Sequence, residues 1–146
     1  MKASARDNWL PAVLVVTVAY IVIGIGTAGL ARSAHSIETR NAWRLSAWVL
    51  SFIAFASHVA YERLRPDSTH VGAARRAASA VALGAFALAI EGPAASHWGA
   101  VDFWRTAALS VVLWPVLTGV PAFFGALVAS FVLGRLLARE RRQPET

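Results

Sequence analysis

WLPAVLVVTVAYIVIGIGTAGLA, residues 9–31, is an apolar run without one charged side chain. A bilayer core takes about 20 such residues of helix, and only helices and closed barrels satisfy their own backbone polar groups there. The run shows none of the period-2 alternation of a barrel strand, so it predicts a membrane-spanning helix. Three further stretches, residues 43–61, 77–95 and 107–133, are read the same way. The expected fold is all-α: an integral membrane bundle of four transmembrane helices, up-down-up-down, because short connectors make consecutive helices antiparallel neighbours.

A chain of 146 residues, 57% of them hydrophobic, is one domain of residues 1–146 by length. With four spans, roughly ten to fifteen residues remain per connector, which leaves no room for a soluble catalytic domain. Lys2 and Arg6 give the first run a basic start, but its length is about twice that of a signal core, so a retained helix is expected. A small-residue site near residues 31–33 keeps cleavage as the alternative.

The net charge of +6 would point a soluble protein towards nucleic acid. Here most arginines flank apolar spans, where they set orientation and meet lipid headgroups, so no nucleic-acid partner is expected. The cations are thirteen Arg and one Lys, a skew read as GC-rich coding, and a bacterial cytoplasmic (inner) membrane is the expected location. The absence of cysteine excludes disulfides, thiolate metal sites, iron–sulfur clusters and covalently attached haem.

The charge bias of connectors sets orientation. The N-tail, the second connector and the C-terminal end carry ten Lys and Arg, against four on the opposite side, namely Arg32, Arg40, Arg44 and Arg105. Both termini are therefore expected in the cytoplasm. Trp9, Trp43, Trp98 and Trp104 fall near span ends, where indole rings favour the headgroup level.

On the first helix Thr17, Tyr20, Gly24 and Thr27 recur at spacings of three and four, which places them on one face. Small and hydroxylated residues on one face mark a packing seam, and Gly24, Thr27 and Gly84 are the expected packing positions. The run from Gly24 to Gly29 stops short of a dinucleotide fingerprint, with Ala31 where a last glycine would fall, and it lies inside an apolar span.

On the second helix His58 and Glu62 are four residues apart and share a face with Ser51 and Phe55. The simplest reading has His58 donate a hydrogen bond to an interfacial Glu62. The alternatives are a proton relay or ligand role, since a histidine within a span is costly unless partnered, and metal or haem ligation. The third helix is rich in Ala, Gly and Ser, as befits a central helix approached closely by the others. It carries Glu91 just before Gly92 and Pro93, a pair able to end or break a helix. A helix starting near Val71 makes Glu91 an interfacial acid; one running past Pro93 makes it a buried carboxylate beside a kink, with His35, His97 or Arg105 as partner. The fourth helix contains Pro115 and Pro121, each expected to bend it, and Asp102 as N-cap.

His35 with Glu38, joined by His97, is a weak metal candidate, because the spacing is unspecific. A bis-histidine haem needs two imidazoles at one depth; only His58 and His70 lie on the same side, and His70 is read as a connector residue. Hydrolase, nucleotide-binding and kinase motifs are missing, and halves one–two and three–four share no repeat. No enzymatic activity and no cofactor are expected. The partners are the lipid bilayer and other membrane subunits or further copies of the chain. The expected function is a non-enzymatic accessory or scaffold subunit of a membrane complex. The alternative is a small proton-linked transporter or channel using Glu91, His58 and Glu62, and a metal- or haem-binding redox protein comes third.

Overall fold

The structure, a computed structural model, describes residues 9–65, 68–96 and 103–140, with the side chains of residues 91–96, 103, 106 and 140 outside that description. It consists of α1 (Leu10–Ser33), α2 (Ile37–Leu64), α3 (His70–Ser96) and α4 (Phe103–Glu140), with no strand among the described residues. All four are long and apolar enough to cross a membrane. At about 1.5 Å per residue even the shortest, α1, reaches about 36 Å, beyond a hydrocarbon core of about 30 Å.

The helices outrun the apolar stretches because caps set their starts. Ser36 Oγ accepts the Thr39 N–H at 3.1 Å, which starts α2 at Ile37 rather than residue 43. Thr69 does the same for α3: its Oγ1 accepts the Gly72 N–H at 3.0 Å and its carbonyl the Ala73 N–H at 3.0 Å. The connectors shrink to residues 34–36 and 65–69, well below the expected lengths, and Arg40, Arg44, Arg75 and Arg76 become helical. His70 is likewise the first residue of α3 and not a connector residue. Pro11 sits in the first turn of α1, where its missing N–H costs nothing.

Neither the Gly92–Pro93 pair nor the prolines of α4 end a helix. α3 starts at His70 and also continues past Pro93 to Ser96, so the two placements weighed for Glu91 merge, and its side chain lies outside the described residues. α4 runs as one helix through Pro115 and Pro121, with Thr118 Oγ1 donating to the Trp114 carbonyl between them at 2.8 Å. Trp98 and Asp102 lie outside the described residues.

α3 packs most extensively on α4 and also touches α1 and α2, in keeping with its small side chains. Among the described residues α1 does not meet α4, so α2 and α3 lie between them. Gly24 faces Leu88, Gly84 faces Tyr20, and Thr17 faces Ala80, so α1 and α3 run in the same direction. Gly119 faces Ala82, while Ser130 faces His70, so α4 runs against α3.

The packing is inverted relative to a soluble bundle. Ala73, Ala74, Ala77, Ala80 and Ala126 are buried, as are Glu62, His58 and Ser130, while Trp48, Phe52, Val112 and Phe124 point outward. Phe55 bridges the two buried clusters, one of Val59, Ala74, Ala77 and Ala126, the other of Val13, Tyr20 and Ala80. Small interior residues let backbones approach closely, and the large apolar side chains are left on the outside. In water such contiguous apolar surface would aggregate.

Candidate functional site

The ionisable side chains gather where α2 ends and α3 begins. Glu62, in the last turns of α2, has no solvent exposure. Arg76 of α3 donates from Nη1 to its Oε2 at 2.7 Å, and Arg65 lies 3.6 Å from Oε1. A carboxylate in a low-dielectric interior is tolerable only when charge-balanced in this way. Arg65 also stands over the Tyr61 ring, 6.0 Å from its centroid.

Arg76 reaches Glu62 because of the Thr69 cap. With α3 starting at His70, Arg76 falls on the face that carries Ala73, Ala77 and Ala80, all fully buried. Charge counting along the sequence places Arg76 among the arginines of the second connector, where a partner on α2 is not expected. The signal was present: a threonine three residues before Gly72, followed by alanines at helical spacing.

A second set of bonds ties this end to α4. Arg63 donates from Nε to the Ser130 carbonyl at 3.2 Å and from Nη1 to the Ser68 carbonyl at 2.9 Å. His70 places Nδ1 3.1 Å from the same Ser130 oxygen, and its ring meets Phe131 edge-on at 6.0 Å between centroids. Gly134, one turn on, leaves the space: a Cβ there would lie 2.9 Å from both Arg63 Nη2 and His70 Cε1. One main-chain oxygen of α4 thus receives groups from α2 and α3.

His58 sits one turn deeper than Glu62 and is buried. It does not donate the expected hydrogen bond to Glu62. Its Nε2 has no hydrogen-bond partner among the described residues, while the Glu62 charge and the Arg76 main chain act on the ring. Arg76, a charge-assisted donor, occupies Oε2 instead, while Oε1 has no hydrogen-bond partner among the described residues. A buried imidazole with an unused nitrogen can accept or release a proton. Ser51, on the same face, is half-buried.

The other expected positions fall elsewhere. Gly24 and Gly84 lie on the α1–α3 seam. Thr27 turns its hydroxyl back onto its own helix, donating to the Ile23 carbonyl at 2.6 Å, whereas Thr17 reaches the Ala80 carbonyl at 3.4 Å. His35 and Glu38 are exposed near the start of α2, and His97 lies outside the described residues. No three His, Asp or Glu side chains converge on a point among the described residues, so the metal candidate has no assembled ligand set there.

Compared with known protein families, curated proteins and solved structures, the chain matches none. The functional reading therefore rests on its own residues.

Proposed function

We propose that the chain is a non-enzymatic subunit of a membrane assembly: four alternating spans with both termini in the cytoplasm of a bacterial inner membrane. One observation carries the reading. Among the described residues, the charged groups where α2 ends and α3 begins are spent on one another and on the backbone, with Glu62 held by Arg76 and Arg65, and Arg63 and His70 both on the Ser130 carbonyl. Such a clamp fixes the relative placement of α2, α3 and α4, which is what a scaffold needs. The outer faces of α2 and α4, with Trp48, Phe52, Val112 and Phe124 exposed, offer apolar surface to lipid or to neighbouring subunits.

The mass of the particle extracted from native membranes in mild detergent tests this. A large particle containing other polypeptides is expected; a lone copy of the chain overturns the subunit role.

A second reading rests on His58, whose buried Nε2 lacks a partner beside the Glu62 charge. With no partner for that nitrogen among the described residues, this is the makeup of a proton-binding group in a small proton-linked transporter. His58→Gln would then abolish proton flux in vesicles reconstituted with the protein, and unchanged flux removes the residue from any such path.

A further inference from the structure

Three of the four cations that charge bias assigns to the external side, Arg32, Arg40 and Arg44, line one open groove between the end of α1 and the start of α2. The groove measures about 700 Å³. Arg40 and Arg44 are one turn apart on the same face of α2. Neither has an ion pair among the described residues, and none of the described acidic side chains lines the groove. Further back along α1 the lining turns to the small side chains of Thr27 and Ala28 and to Gly24, and Trp48 lines it from α2.

We infer that this groove binds an anionic phospholipid of the external leaflet. The two halves of the groove match the two halves of that molecule. Guanidinium groups present paired donors that fit a phosphate, and they lie at the helix ends, at headgroup level. The small residues lie about 12 Å deeper along α1, from Arg32 back to Gly24, where an acyl chain runs. The exposed Trp48 ring packs along that chain. Arg40 and Arg44, placed on the external side, run against the charge bias that orients a membrane protein, and a bound anion neutralises them. Free phosphate would satisfy the arginines but leave the small-residue lining uncovered. The site lies away from the Glu62 clamp and stands whether the chain works as a subunit or as a transporter.

The test is native mass spectrometry of the full chain in detergent, titrated with phosphatidylglycerol or with phosphatidylcholine of the same acyl chains. Phosphatidylglycerol should be preferred, and Arg40→Gln with Arg44→Gln should weaken its binding about tenfold or more. The double Arg→Lys variant should keep most of the preference, which separates loss of charge from loss of fold. Ala28→Leu, which fills the small-residue end of the groove and leaves every arginine, should weaken binding of both lipids. Equal binding of the two lipids by the parent, or full retention in the double glutamine variant, overturns the proposal. Inorganic phosphate displacing the lipid at equal concentration shows a site for a free anion and overturns it too. Unchanged lipid binding in Ala28→Leu places the acyl chain elsewhere, with the same consequence.

Discussion

Arg76 on α3 and Glu62 on α2 meet at 2.7 Å with the carboxylate wholly removed from solvent. The two residues are fourteen apart in the chain, on either side of the α2–α3 connector. Their pairing lets a fully buried carboxylate on α2 meet a partly exposed guanidinium on α3, with Arg65 as a second cation beside it. The nearby bonds of Arg63 and His70 to the Ser130 carbonyl extend the contact to α4.

Removing one partner should therefore cost more than removing both. Glu62→Gln leaves the partly exposed Arg76 facing a neutral amide and should cost about 1–3 kcal/mol, less than the loss expected of a fully buried pair. Replacing both residues with Met should recover most of that loss. Thermal unfolding in detergent of the two single variants and the double variant measures the coupling. A Glu62→Gln protein as stable as the parent would show that the pair contributes nothing to holding α2 on α3.

The two seam glycines should differ in their tolerance of a methyl group. A Cβ on Gly84 would lie 2.8 Å from Tyr20 Cβ, an atom fixed to the backbone of α1. A Cβ on Gly24 would lie 2.6 Å from Leu88 Cδ1, the mobile end of a side chain that can turn away. Gly84→Ala is expected to cost about 1–3 kcal/mol through helix separation, and Gly24→Ala less than about 1 kcal/mol. Unfolding midpoints of the two variants, compared side by side, decide the point; the reverse order would mean that α1 and α3 do not approach along this register.

Gly134→Val should detach α4 from the clamp. Its side chain would occupy the space held by Arg63 Nη2 and His70 Cε1, each 2.9 Å from the ideal Cβ position, and push both groups off the Ser130 oxygen. Each lost bond to a buried carbonyl is worth about 1 kcal/mol. Protease nicking of α4 should become faster in this variant. Cleavage at the parental rate would mean that the Ser130 contacts are incidental.

Alkaline phosphatase fused at residue 35 should be active, whereas fusions at residue 68 and at the C-terminus should be inactive, as alternating spans with cytoplasmic ends require. The opposite pattern would invert the orientation and move the arginine groove to the cytoplasmic side.

The unmatched nitrogen of His58 shows where sequence reading and structure part. The spacing of His58 and Glu62 placed them on one face, and they do share it. Spacing within one helix says nothing of what the next helix brings, and here it brings Arg76.

The sequence by itself determined that there are four helices able to cross a membrane, because length and apolarity are properties of each segment alone, and a bilayer accepts or rejects each segment on them. The composition of α3 also marked it as a helix that others approach closely. Which face of each helix turns inward was decided only by the tertiary structure. A helix apolar on all sides has no polar–apolar stripe to orient it, so its rotation is set by small residues fitting against a neighbour and by pairs such as Glu62 with Arg76. The exact start of α3 controlled that pair: a hydroxyl on Thr69 fixes the first turn and thereby aims Arg76 inward rather than at the headgroups.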